Sequence, residues 1–165
     1  MDFSLDLVKL LIFILPAYVA NATPVVLGGG PPIDLGFHWL DEKRIYGDGK
    51  TIRGFIGGFL SGFLVGAIES IFLGGIYLYV GLLLAFGAMF GDLLGSFLKR
   101  RMGVPRGQPM FILDQLSFIA VALLFALPIY PLSIVEIVIL FILTGILHVV
   151  FNILANKMGL KRVPW

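Results

Sequence analysis

Two aspartates stand where a membrane-crossing chain ought to be apolar. Asp92 lies inside the apolar run 74–98, and Asp114 lies near the start of the run 112–128. A carboxylate at helix depth costs about 2.5–3.5 kcal/mol to insert, so such a residue faces a cavity or a partner. Asp92, Ser96 and Lys99 follow one another at i, i+4 and i+7, which puts them on one helix face. Asp92 precedes Lys99 by about 10 Å of helix, and Asp114 follows Pro109, a residue suited to a helix start, by about 7.5 Å. On adjacent antiparallel helices the two carboxylates can therefore reach similar depth. Two carboxylates at a basic mouth suit Mg²⁺, which takes one or two protein carboxylates and completes its shell with phosphate oxygens and water. The structural alternative is a buried salt bridge from Asp92 to Lys99 or Arg100, with Asp114 favouring the N-terminus of its own helix.

Basic residues gather around this pair. Lys50, Arg53, Lys99, Arg100 and Arg106 fall in two loops that look like one polyanion site, and Arg101 can serve that site or bind lipid head groups at the surface. Asn21, late in the first apolar run, can hydrogen-bond a ligand or bridge helices. Gly57 and Gly58 follow a basic loop, where bare backbone can admit a nucleotide. Glu69 and Glu136 read as end residues of the opposite face, and His38 and His148 have no metal-ligand spacing around them. Two near-matches fail. Gly47-Asp48-Gly49-Lys50-Thr51 ends like a phosphate-binding P-loop, but Arg44 stands where that pattern needs glycine and no strand precedes it. Asp48-Gly49 with Ile52-Arg53 begins like the CDP-alcohol phosphotransferase signature, whose later aspartates are Gly66 and Ser70 here.

The elements that must position these residues follow from composition. Of 165 residues 59% are apolar and 13% charged, with no cysteine, and the mean hydropathy is +1.02. That excludes a water-soluble globule, a disordered tail, a nucleic-acid-binding module, a disulfide framework and a cysteine nucleophile. Five apolar runs, 5–27, 52–73, 74–98, 112–128 and about 132–154, predict an all-α, polytopic membrane protein with five transmembrane helices in one domain, 1–165. Gly74-Gly75 and the Pro128–Pro131 stretch predict tight antiparallel junctions. With alternating spans, every Lys and Arg except Lys9 falls on one face. The positive-inside bias makes that face cytoplasmic, with the N-terminus outside and the C-terminus in the cytoplasm of a cell membrane. The first run lacks a basic start and reads as a retained helix. Gly54, Gly58, Gly62 and Gly66 form a ridge of small residues, and Gly91 with Gly95 a shorter one, both suited to close helix packing.

The motifs resemble a known family. Gly91-Asp92, Gly95-Ser96, Lys99-Arg100-Arg101 and Gly103, followed by Pro109 and Leu113-Asp114-Gln115, resemble the signature of CTP-dependent lipid-phosphate cytidylyltransferases. Gly49-Lys50-Thr51-Ile52-Arg53-Gly54-Phe55-Ile56-Gly57-Gly58 is similar to that family's upstream stretch. With the first-helix segment 15–21, the resemblance points to its short archaeal branch, the CDP-archaeol synthases. Longer bacterial and eukaryotic members carry a Pro-Gly-His-Gly-Gly run where this chain has Gly107-Gln108-Pro109-Met110-Phe111. Gln115 and Ser117 replace an Arg and an Asp of their late motif.

The resemblance implies transfer of a cytidylyl group from CTP to an ether-lipid phosphate, 2,3-bis-O-(geranylgeranyl)-sn-glycerol 1-phosphate, with Mg²⁺ as cofactor. Its implied catalytic residues are Asp92, Lys99 and Asp114, with Asp92 and Asp114 holding the metal. Its CTP and phosphate ligands would be Lys50, Arg53, Gly57, Gly58, Ser96, Arg100, Arg106 and Asn21, in a polar cleft open to the cytoplasm with a lateral gap for lipid. Such chemistry needs positioning and charge neutralisation rather than a nucleophilic side chain. Rival expectations are a phosphatidate cytidylyltransferase and a non-catalytic membrane transporter.

Overall fold

A computed structural model describes residues 7–105, 108 and 110–159. Arg106 and Pro109, both singled out above, lie outside them. The described residues form five helices: α1 (Leu7–Leu27), α2 (Ile52–Leu73), α3 (Ile76–Arg101), α4 (Phe111–Ala126) and α5 (Ile134–Lys157). Among the described residues there is no strand, only isolated bridges between Pro32 and Thr51 and between His38 and Arg44. Four helices are long and apolar enough to cross a membrane. The exception is α4, whose 16 residues make about 24 Å of helix, short of the roughly 30 Å hydrocarbon core.

Local sequence sets the boundaries. Thr51 starts α2 because its hydroxyl accepts the Gly54 N–H at 3.1 Å, satisfying one of the orphan donors of a helix start. Gly74, at φ +108°, ends α2 in a conformation that side chains rarely adopt, and α3 begins two residues later. Glu136 is an end residue as expected and completes a capping box: Ser133 accepts from the Glu136 N–H while the Glu136 carboxylate accepts from the Ser133 N–H at 2.7 Å. Glu69, read the same way, is instead buried on α2, with neither carboxylate oxygen hydrogen-bonded among the described residues.

In lipid the hydrophobic effect does not bring helices together, so close backbone approach must. The α2 glycine ridge sits between α1 and α3. A Cβ on Gly58 would lie 2.5 Å from the Met89 sulfur and 2.6 Å from the Ala20 carbonyl, and one on Gly62 would lie 2.5 Å from the Pro16 carbonyl. Gly66 meets Gly81 of α3 backbone to backbone. The ridge on α3 is longer than its two expected members, because Gly87 precedes Gly91 and Gly95. A Cβ there would lie 2.7 Å from the Ala122 Cα, and Gly91 abuts the Ser117 carbonyl. Helix α3 is therefore central, packed on α1, α2 and α4. Helix α5 is peripheral: only Leu140 and Thr144 are buried on it, and Tyr18 of α1 shares a 2.8 Å hydrogen bond with Thr144.

Candidate active site

Polar side chains converge at one end of the bundle, where the 28–51 loop, the last turns of α3 and the first turn of α4 meet. The loop is built around Asp34, whose side chain is fully buried. Its carboxylate accepts from the N–H groups of Gly36 (3.2 Å), Tyr46 (2.9 Å) and Gly47 (2.8 Å) and from the Arg44 guanidinium (2.5 and 3.4 Å). Burial alone would raise this carboxyl, but Arg44 and the three amides together hold it well below the usual carboxylate range. Arg44 is raised in turn, chiefly by its bond to Asp34. Sequence reasoning passed over Asp34. The signal was there in the spacing to Gly36, since an aspartate bonding the amide two residues on is a common turn device.

Arg101 fastens this loop to α3. It donates to the carbonyl of Arg44 at 2.6 Å and that of Lys43 at 3.2 Å, pairs with Asp41 at 3.1 Å, and lies over the Phe97 ring. Lys43 returns a bond to the Arg101 carbonyl at 3.1 Å. Trp39 meets the same Phe97 edge-to-face at 5.4 Å. Arg101, read from the sequence as a ligand for the polyanion site or for lipid head groups, attaches the loop through its Nη2 and its pair with Asp41.

With the loop so fixed, Lys50 reaches α3 and bonds both Asp92 oxygens, at 2.7 and 2.6 Å. About two helical turns further on, Lys99 bonds Asp114 of α4 at 2.5 Å. The other Asp114 oxygen accepts the Met110 N–H at 3.0 Å, so Asp114 also serves the start of its own helix. The structural alternative, a pairing of Asp92 with Lys99 or Arg100, does not occur among the described residues. Lys99 turns to α4 instead, and the cation on Asp92 comes from the loop, 42 residues upstream. Both carboxylates stay partly accessible, Asp92 with 24% and Asp114 with 33% of the side chain exposed.

The remaining predicted residues sit around this double bridge. Ser96 is half-buried between Asp92 and Lys99 on α3, and Asn21 is half-buried on α1; neither side chain has a hydrogen-bond partner among the described residues. Arg100 passes over the loop turn at Gly47, with its Cδ 3.8 Å from where a Gly47 side chain would start. Gly58 is consumed by packing against Ala20 and Met89, and Gly57 faces Leu27 of α1. Arg53 is exposed on the α1 side of α2, away from the Lys50–Asp92 pair. Ser117, at the position of the longer enzymes' second Asp, donates to the Leu113 carbonyl at 2.6 Å. Its hydroxyl lies opposite Gly95, where a Cβ on the glycine would come within 2.5 Å of it.

A metal is not built from protein ligands alone, since the described residues hold no group of three or more His, Cys, Asp or Glu side chains that could bind one. Two carboxylates, each balanced by a lysine, do fit Mg²⁺ that arrives with phosphates and completes its shell with their oxygens.

Comparison with known proteins identifies the family. A family model described as CarS-like CDP-archaeol synthase matches residues 4–165. The chain belongs to this family. CDP-archaeol synthase of Pyrococcus abyssi is 49% identical over 159 residues, covering 93% of this chain and 95% of that protein. The Thermococcus kodakarensis protein of the same name is 51% identical, covering 93% of each. That of Methanococcus maripaludis strain C6 is 48% identical over the whole of both chains. A solved structure of an intramembrane enzyme for archaeal membrane lipids biosynthesis superposes with a TM-score of 0.84 at 38% identity, covering 90% of this chain and 95% of its own. The solved neighbour shares the five-helix architecture described above.

Proposed function

We propose that the protein transfers the cytidylyl group of CTP to 2,3-bis-O-(geranylgeranyl)-sn-glycerol 1-phosphate, releasing pyrophosphate and leaving a CDP-activated ether lipid. The observation that carries this is the family match across residues 4–165. The site reading rests on the two Lys–Asp pairs at the polar end of a membrane bundle.

The lipid phosphate is already ionised near neutral pH, so no side chain need take a proton from it. Its oxygen attacks the α-phosphorus of CTP, one P–O bond forms, and the bond to the β-phosphate oxygen breaks. The work left to the protein is alignment and charge neutralisation. Asp92 and Asp114 would hold Mg²⁺, which when bound neutralises phosphate charge. Lys50 and Lys99, on long flexible stems, exchange their carboxylates for phosphate oxygens and hold the triphosphate in line. Arg100 and Arg106 add charge at the pyrophosphate side, Arg106 by its place in the sequence alone. Asn21, Ser96 and the backbone at Gly57 are candidate contacts for the nucleotide. The polar end faces the cytoplasm, where CTP is found, so the N-terminus lies outside and the C-terminus inside.

The test follows label from CTP, carried at its α-phosphate, into extractable lipid, comparing ether-lipid phosphate with diacyl phosphatidate and Mg²⁺ with EDTA. Metal-dependent labelling of the ether lipid is the expected result. Labelling of phosphatidate alone would overturn the substrate, and full labelling in EDTA would overturn the metal.

A further inference from the structure

The inner side of the 28–51 loop is spent on Asp34, Arg44 and Lys50, but its outer edge is apolar. Leu35, Phe37, Trp39 and Leu40 are all exposed, Leu40 at 93%. Single exposed apolar residues are ordinary on a protein, whereas a cluster of large ones makes a contact surface. The backbone presents them rather than tucking them away. Residues 37–39 run beside 43–45, with the Trp39 N–H bonded to the Lys43 carbonyl at 2.8 Å and the Ile45 N–H to the Phe37 carbonyl at 3.2 Å. Leu35 stands at φ +46°, in the left-handed region that favours glycine. An exposed leucine there gains little from its backbone or from the chain's own packing, so what covers it lies outside the chain.

Position identifies the cover as lipid. Trp39 packs edge-to-face on Phe97, one helical turn beyond Leu94 in α3. Leu94 belongs with Phe86, Phe90 and Leu98 to an exposed apolar row on that helix, the side that a membrane-spanning helix turns to hydrocarbon. Counted from Ile76, where α3 starts, the roughly 30 Å core takes about 20 residues of helix, which puts Phe97 level with the head groups. The loop edge thus extends the lipid-facing side of α3 to the depth where tryptophan indoles settle. Neighbouring charges fix how deep it goes. Asp41, Glu42 and Lys43 follow Leu40 and are exposed, and Asp41 is paired with Arg101. Charged side chains next to the row keep it at the boundary and out of the hydrocarbon.

We propose that residues 35–40 are an interfacial anchor, with Leu35, Phe37, Trp39 and Leu40 lying about 5–10 Å deep at the border of head groups and hydrocarbon. The partner is a lipid surface, the leaflet surrounding the polar end of the bundle. The loop that brings Lys50 to Asp92 is then held from two sides, by Asp34, Arg44 and Arg101 within the protein and by the leaflet outside it. Such an anchor needs no particular reaction at the site.

The experiment reads Trp39 directly. The chain has two tryptophans, Trp39 and Trp165, so Trp165→Phe leaves Trp39 as the single emitter in the full chain. The protein is placed in nanodiscs of phosphatidylcholine and phosphatidylglycerol whose chains carry bromine either just below the head group or at the far end. The expected result is emission to the blue of tryptophan in water, loss of most of its intensity with the shallow bromine, a smaller loss with the deep one, and little quenching by acrylamide. Water-like emission quenched by acrylamide and by neither bromolipid would overturn the anchor. Blue emission indifferent to every quencher would put protein, such as a second copy of this chain, over the row and overturn it too. Deep quenching equal to or above shallow would overturn the interfacial depth. Leu40→Glu, in the same background, alters a side chain with almost no packing to lose. It should weaken shallow quenching severalfold and shift the emission to the red, with melting in detergent unchanged, because a charge resists leaving water. Unchanged quenching in that variant would overturn the insertion of the loop edge.

Discussion

Two kinds of carboxylate lie close together at the polar end of this bundle, and their surroundings differ in a way that separates architecture from chemistry. Asp34 is fully buried and takes five hydrogen bonds, three from fixed backbone amides and two from one guanidinium. No lone pair is left for a ligand, and no water competes. Asp92 is a quarter exposed and depends on a single lysine, whose one ammonium serves both oxygens. Asp114 is between the two, with one oxygen on a backbone amide and the other on Lys99. A rigid, many-partnered carboxylate holds a loop in place; an accessible one with a flexible partner can change partners when phosphates arrive. The partners of the three carboxylates divide accordingly, the planar fork of Arg44 on Asp34 and the point charges of Lys50 and Lys99 on Asp92 and Asp114.

Substitutions can break or sharpen that contrast. The largest effect belongs to Asp92→Asn and Asp114→Asn, each expected to cut label transfer roughly a hundredfold to a thousandfold. Thermal melting should move little, because the partner lysines are free to reach water. Near-normal turnover in both variants would falsify the assignment of these two residues. Asp34→Asn should show the reverse, a loss of stability of about 3 kcal/mol from stranding Arg44, with residual activity per folded molecule close to wild type. If Asp34→Asn melts like wild type but is inactive, the division drawn between loop and site collapses. Smaller still, Lys50→Met and Lys99→Met should each raise the KM for CTP about tenfold, measured at saturating lipid. An unchanged KM would mean that the lysines serve their carboxylates only.

The last and smallest effect is on pH. Asp34 ionises more readily folded than unfolded, so its contribution to stability is whole above the ordinary aspartate value near 3.8 and is lost as pH falls below that toward the folded value. Melting temperatures of the wild type should therefore decline below about pH 4, and the decline should be shallower in Asp34→Asn. Parallel curves for the two proteins would show that the loop is not held through this carboxylate.

Much of the fold was legible because helix formation in a membrane is local. Run 52–73 coincides with α2 to the residue, since a threonine cap, a glycine stop and a length of apolar chain between them need no distant information. Other boundaries slipped: α3 runs on to Arg101 and α5 to Lys157, three residues past their apolar runs, and α4 ends at Ala126 rather than at Pro128, because the turn closes on the Ala126 carbonyl before the proline run is finished. Spacing also put Asp92, Ser96 and Lys99 on one face, but not on one partner. A helix face is wide enough for Asp92 to meet the loop while Lys99 meets α4, and only packing decides between them.

The sequence by itself determined the number of helices, the concentration of basic charge at the loops, the glycine rows and the motif that names the family. These depend on composition and on periods of a few residues, which any window of the chain displays. Tertiary structure alone decided that Lys50 belongs to Asp92, that Lys99 belongs to Asp114, that Arg101 and Asp34 hold the loop, and that Arg53 is left exposed, away from the Lys50–Asp92 pair. Each of those outcomes joins residues from different elements or withholds a partner from one. The physical reason is that ion pairs in a crowded polar end compete for the same cations, and the glycine contacts between α1, α2, α3 and α4 fix which carboxylate each cation can reach.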